Sequence, residues 1–357
     1  MKSHQKILLL GIGSIGGIIA GKLLLANYDC TLVTNNETIT KILIKDGLRI
    51  LEGSNKETII IEPSKVHTNT CFIRDKFDLI FYMMKTAQVE NAISQSKHLL
   101  NSGGFVVAFQ NGIVESLYEN HFLNKVIIAS VIFNSIMLSP GVYSLSKSEQ
   151  IIIGKNRSRV ANSSLENVRE ILSKITSCDV SQNMEGIYWS KLAINCSINA
   201  ITAISGKYLG QLLKIGYCRD IFFSIYRETI DVADKLGIKL EKIKIDPYML
   251  YSDEQTPFFK KCIQLLFIKQ IAKSYATVFP SMLQDLKKGK KTEIDYLNGY
   301  VSKLGKELGI KTPINDEMTS LIKKIELNYL TPDISLLKKA NDVQRIEKSN
   351  FLNSQPS

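Results

Sequence analysis

Short apolar runs alternate with amphipathic stretches through the first half of the chain. Lys6–Leu10, Cys30–Thr34, Phe77–Met83, Phe105–Phe109, Val126–Phe133 and Gln150–Ile153 predict strands, the first four with the near-continuous apolar character of buried ones. Between them, Ser14–Ala26, Glu37–Asp46 and Ala87–Leu100 carry helical spacing. That alternation predicts a parallel sheet with crossover helices. Leu48–Leu51 and Thr58–Ile61 flank the turn-like Glu52-Gly53-Ser54-Asn55 and predict a small hairpin.

From about Asn162 onward the strand signals are expected to stop. Helix-length periodic stretches follow at Leu165–Ile175, Glu185–Ile204, Asp220–Leu236, Phe258–Thr277, Thr292–Leu308 and Asn315–Leu327. Gly237 and Gly309 sit where C-caps belong, and Pro280 and Pro313 punctuate the gaps. The expected organisation is an α/β Rossmann-like domain over residues 1–178, an all-helical domain over 179–335 and a loose polar tail over 336–357. No internal repeat is visible.

Composition narrows the class. A chain of 357 residues suits two domains, and 45% hydrophobic with 22% charged residues is ordinary for a water-soluble globular protein. The net charge of +11 comes from lysines spread along the chain, without the arginine clusters or interleaved aromatics of a nucleic-acid surface. Such a surface favours an anionic cofactor and substrate, so no nucleic-acid partner is expected. The six cysteines (Cys30, Cys71, Cys178, Cys196, Cys218, Cys262) include no C-x-x-C pair, which argues against a metal site or a disulfide framework. The apolar stretch 7–26 imitates a signal peptide, but Lys22 and four glycines interrupt it. Without a membrane span, a cytoplasmic location is expected.

Gly11-Ile12-Gly13-Ser14-Ile15-Gly16 is a G-x-G-x-x-G turn between an apolar strand and an apolar helix. The first glycine permits the tight turn, the second lets backbone approach a diphosphate, and the third lets helix pack on strand. The diphosphate would rest on N–H groups at the helix start. The second strand ends Thr34-Asn35-Asn36 before Glu37. An acidic residue there would read the ribose of NAD and a basic one the 2′-phosphate of NADP; neither is plainly present. Lys41, one helical turn on, keeps NADP open.

Reduction of a carbonyl also needs a proton donor. The four histidines (His4, His67, His98, His121) all lie in the first third, so the helical half must use another group. Lys191, Asn195 and Asn199 recur at i, i+4 and i+8, stacking on one helix face among apolar neighbours. They form either a functional row or a polar stripe facing water. Around Gly289-Lys290-Lys291-Thr292-Glu293-Ile294-Asp295, Thr292 with Asp295 reads as an N-cap and its acidic partner, and Glu293 as charge complementing a helix start. Gln110-Asn111-Gly112 after an apolar strand fits a turn equally well.

Taken together these motifs resemble the ketopantoate reductase family (2-dehydropantoate 2-reductases). The resemblance rests on the glycine turn, Met84-Lys85, Gln110-Asn111-Gly112, the K-L-x-x-N-x-x-x-N helix at Lys191, and S-M-L-Q-D with T-E-I-D-Y-L-N-G from Ser281 to Gly299. It runs to about Leu327. It implies a second domain of the 6-phosphogluconate dehydrogenase C-terminal type and NADPH-dependent reduction of 2-dehydropantoate to pantoate, in pantothenate and coenzyme A biosynthesis. It implies Lys191 as general acid, with Glu293 contacting substrate hydroxyl, cofactor and lysine. Asn195, Asn199, Ser281 and Asn111 match substrate-binding positions. Gly11, Gly13, Ser14, Ile15, Gly16, Asn35, Lys85 and Asn111 match the cofactor side. The implied partners are a small 2-oxo acid and, compatibly, a second copy in a homodimer. Asn35 departs from the arginine often found at that position, which leaves NADH open as cofactor. The alternatives are a reductase of another branched 2-oxo acid and a non-catalytic dinucleotide sensor.

Overall fold

The computed structural model describes residues 5–53, 55–60, 62–112, 114–147, 150–155, 160–253, 255–274, 276 and 280–342. The chain divides into two compact units, Met1–Met184 and Glu185–Ser357.

In the first unit β1 (Lys6–Leu10) leads into α1 (Ser14–Leu25), and β2 (Asp29–Val33) into α2 (Glu37–Asp46). β3 (Leu48–Glu52) and β4 (Asn55–Ile59) pair antiparallel as the expected hairpin; Ile61, placed in that hairpin from the sequence, lies outside the described residues. The short β5 (Val66–His67) precedes β6 (Phe77–Tyr82), α3 (Val89–Ser96), β7 (Leu100–Ala108), α4 (Glu115–Glu119) and β8 (Val126–Val131). The unit closes with β9 (Asn134–Ser139), β10 (Val142–Lys147), β11 (Gln150–Gly154), α5 (Asn162–Leu172) and β12 (Ser177–Ser181).

The main sheet has the order β12-β11-β8-β7-β6-β1-β2-β5 and is parallel except where β11 meets β8. Ile7, Leu8, Ile80 and Phe81 are fully buried on its two faces, which is why these strands read as continuous apolar runs. β1 lies between β2 and β6, so strand order reverses there and the turn after β1 opens at the carboxyl end of the sheet. A second sheet, β4-β3-β10-β9, packs on α1.

Besides the two-residue β5, three strands depart from the expectation. β9 and β10 went unrecognised because β9 has no fully buried residue, and β10 alternates the buried Tyr143 and Leu145 with the part-exposed Val142 and Ser144. β12 forms beyond Asn162, where strands were expected to end. It is a polar edge strand with only Cys178 buried, held by parallel pairing to β11.

The second unit is helical: α6 (Met184–Ser205), α7 (Leu209–Leu212), α8 (Gly216–Lys235), α9 (Phe258–Ser274), α10 (Ser281–Lys287), α11 (Asn298–Leu308) and α12 (Pro313–Glu326). Gly237 and Gly309 follow α8 and α11 with φ of +72° and +69°. The helix expected from Thr292 starts only at Asn298. The Thr292 N–H donates to Glu326 Oε1 (2.7 Å) and its Oγ1 accepts from the Ile294 N–H (3.2 Å), so a 3₁₀ turn at Ile294–Tyr296 replaces the first helical turn. Thr292 is therefore not the N-cap of a long helix. Residues 334–342, partly in the expected loose tail, are helical with Leu337 and Ala340 buried; the stretch beyond lies outside the described residues, as do Thr277 and Phe279. No described helix is long and apolar enough to cross a membrane.

Candidate active site

In the first unit the glycine turn has three distinct surroundings. Gly11 has φ +92°, and a Cβ there would stand 2.7 Å from the Met84 backbone nitrogen. A Cβ on Gly16 would stand 2.1 Å from the Gly11 carbonyl oxygen, so helix and strand can approach only without it. Gly13 caps α1, and a Cβ there would meet nothing within 4 Å. The first turn of α1, with Ser14, Ile15 and Gly16, carries no acidic residue and no side-chain cap. Room above Gly13 and an uncapped helix start fit a dinucleotide diphosphate. The second sheet steadies this turn: the Tyr143 hydroxyl donates to the Ile12 carbonyl (3.0 Å) and the Met137 N–H to Ser14 Oγ (3.2 Å). The motif alone carried no sign of that brace.

At the end of β2, Thr34 is buried and its hydroxyl is engaged with Thr40 (2.7 Å). Asn36 caps α2 by accepting from the Ile39 N–H (3.0 Å). Asn35 is exposed with φ +54°. Lys41, considered above for a 2′-phosphate, pairs with Glu37 at 3.8 Å in an exposed i, i+4 contact.

Lys85 is half-buried and opens a 3₁₀ turn, Thr86–Gln88. Thr86 Oγ1 donates to the Asn111 carbonyl (3.4 Å), bringing the Lys85 and Asn111 turns together. Gly112 has φ +82°, so Asn-Gly is a turn. Gln110 anchors it: Nε2 donates to the Tyr82 and Met84 carbonyls (2.9 Å each), and Oε1 accepts from the Tyr118 hydroxyl (2.6 Å).

In the second unit α6 carries Lys191, Asn195 and Asn199. Asn199 is 7% exposed, and the other two are only partly exposed, so the row is no water-facing stripe. Glu293 is buried and sits before the 3₁₀ turn, not in the first turn of α11, which removes the helix-start explanation of its charge. Burial pushes the Lys191 ammonium down from 10.5 to about 8, and the Glu293 carboxylate holds it from falling further. The two residues are far apart along the chain, so no local spacing joins them; the family resemblance alone implied the contact. Ser281 stands exposed at the first position of α10. Among the described residues no group of three or more His, Cys, Asp or Glu could hold a metal.

One further buried cluster was missed. Glu228 on α8 is 3% exposed and accepts from the Ile314 N–H (3.0 Å), the Asn315 N–H (2.9 Å) and Asn315 Nδ2 (2.8 Å). Its signal was a carboxylate in phase with the apolar positions Ile221, Ile225 and Val232 of α8.

Residues 7–158 match the family described as ketopantoate reductase PanE/ApbA, and residues 183–326 match its C-terminal counterpart, ketopantoate reductase PanE/ApbA C terminal. The chain belongs to the ketopantoate reductase family. It is accordingly an oxidoreductase acting on CH–OH groups. Among curated relatives, the 2-dehydropantoate 2-reductase of Aquifex aeolicus is 26% identical over 90% of this chain and 97% of its own length. That of Pyrococcus horikoshii is 28% identical over 90% and 98%. Among solved structures, a PanE/ApbA family ketopantoate reductase from Ralstonia eutropha superposes with a TM-score of 0.76 at 24% identity, covering 90% of this chain and 99% of that one. A ternary D-mandelate dehydrogenase complex with NADH and anilino(oxo)acetate gives 0.79 at 21% identity, covering 90% and 99%. These last two likenesses concern the fold.

Proposed function

We propose that this ketopantoate reductase family member reduces 2-dehydropantoate to pantoate with NADPH, a step toward pantothenate and coenzyme A. The observation that carries the proposal is Lys191, a lysine brought down to about 8 by burial and accompanied by the Glu293 charge. A buried lysine of that kind is poised to give up a proton near neutral pH. The name shared by the curated relatives across nearly their whole length supports the substrate.

In this reading the diphosphate rests on the turn Gly11, Gly13, Ser14, Ile15 and Gly16, with Asn35 at the adenosine ribose and Lys85 and Asn111 toward the nicotinamide. When bound, the nicotinamide supplies a hydride to the carbonyl carbon. Lys191 Nζ gives its proton to the carbonyl oxygen as negative charge develops there, and is reprotonated from water. Glu293 accepts from the substrate hydroxyl and steadies the ammonium, reaching the cofactor side as well. Asn195, Asn199, Ser281 and Asn111 orient the substrate.

The end of β2 favours a second reading of the cofactor. Asn35 is neutral and Lys41 is paired with Glu37, so NADH is the alternative donor. Purified protein assayed with NADPH and NADH against a panel of branched 2-oxo acids tests both parts. The proposal expects ketopantoate among the best substrates. A better aromatic or other branched 2-oxo acid would overturn the named substrate, and dinucleotide binding without turnover on any of them would leave a sensor.

A further inference from the structure

In sequence, Lys191 lies between two residues of α6 that touch the stretch following Glu293. The rings of Trp189 and Tyr300 lie 6.2 Å apart, tilted by 48°. Seven residues on, and on the same helix face as Trp189, Asn298 Nδ2 donates to the Cys196 carbonyl at 3.3 Å. Asn298 is fully buried and lies five residues beyond Glu293, across the single 3₁₀ turn. α6 runs uninterrupted through Cys196, so the helix does not need this bond for its own ladder.

The bond is part of a relay. Asn298 Nδ2 also donates to Asn315 Oδ1 (3.0 Å), and Asn315 Nδ2 donates to Glu228 Oε2 (2.8 Å). Glu228 in turn accepts the Ile314 and Asn315 N–H groups at the start of α12. The chemistry fixes each amide: both partners of Asn298 Nδ2 are oxygens, and a carboxylate takes the nitrogen of Asn315. That orientation leaves Asn298 Oδ1 buried and without a partner among the described residues. An unmet buried acceptor is costly, and a leucine of similar size would avoid it. The amide nitrogen, joining α6 to α11 and α12, accounts for the polar side chain there.

We propose that Asn298, held by Asn315 and Glu228, is a positioning residue that fixes α6, the helix carrying Lys191, against the segment carrying Glu293. The catalytic consequence rests on the reading of Lys191 as proton donor; the positioning itself does not. Without the bond, α6 and the Glu293 segment are free to shift, more water reaches Lys191, and its proton affinity returns toward that of an exposed lysine.

The test uses the full chain with Asn298→Leu, and folding is checked by circular dichroism. The pH dependence of Lys191 acetylation, read by mass spectrometry without cofactor or substrate, reports its titration. The expected result is an upward shift of about half a unit or more, because burial is the larger influence on that group. With ketopantoate, kcat is expected to fall by about tenfold, and the dinucleotide Kd to stay within about twofold. If Asn298→Leu does not fold, Asn298→Ser, which keeps one short donor, is measured instead and is expected to shift in the same direction. A folded variant whose Lys191 titrates as in the wild type would overturn the proposal, whatever its melting temperature. A shifted titration in a protein that reduces no 2-oxo acid would sustain the positioning while removing the functional reading.

Discussion

Glu293→Gln keeps the shape of the side chain and removes the carboxylate charge that raises the Lys191 proton affinity. The ordinary value of 10.5 is lowered by burial and partly restored by Glu293 to about 8. An opposite charge at close range shifts such a group by about 1 to 3 units. Taking the low end, the variant lysine titrates near 7, and its protonated fraction at pH 7.5 falls from about three quarters to about one quarter. With Lys191 as the proposed proton donor, reduction would consume the ammonium, so wild-type kcat should decline above pH 8 and the variant's should decline about one unit earlier. Oxidation of pantoate needs the neutral amine, and its rate should rise through the same pH ranges. The assay is initial-rate nicotinamide absorbance from pH 6 to 10 at saturating substrate, in both directions. Reduction that stays level to about pH 9.5 would mean that the group titrating in the rate is not a lysine lowered by burial. An unmoved midpoint in Glu293→Gln would mean that Glu293 does not govern it.

The glycines separate stability from binding: Gly16→Ala, with its Cβ 2.1 Å from the Gly11 carbonyl, should cost about 1–3 kcal/mol in chemical denaturation. Gly13→Ala meets open space, so it should unfold like wild type while its dinucleotide Kd, by fluorescence titration, weakens about tenfold or more. Asn35→Arg should raise affinity for NADPH over NADH about tenfold in the same titration, since a guanidinium would add a charge-assisted bond to the 2′-phosphate. Glu228 is raised by burial from 4.5 to about 7, so its contribution to stability is full below about pH 4.5 and lost as pH rises through 7. The shift corresponds to about 3 kcal/mol; Glu228→Gln should remove this dependence, as read from the difference between wild-type and variant urea curves at pH 5 and 8.

Much of this was legible because local pattern and tertiary role agreed. Ile7–Leu10 are buried and precede a glycine turn, so β1 and α1 announce themselves. The i, i+4, i+8 spacing of Lys191, Asn195 and Asn199 survives because α6 is one continuous helix. What was missed depends on packing from elsewhere. β12 is held by pairing to β11, and the start of α11 is displaced because Thr292 bonds to Glu326 on α12. The relay through Asn298 joins residues 17, 102 and 87 positions apart, which no local window contains. Asn298 itself lies in a motif whose charged member, Glu293, drew attention first.

The central claim is that Lys191 supplies the proton. Lys191→Ala measured beside wild type, with NADPH binding by fluorescence and ketopantoate reduction by absorbance, addresses it directly. The expected result is a cofactor Kd within about twofold of wild type and turnover lower by about 10²-fold or more. Near-normal turnover in Lys191→Ala would contradict it.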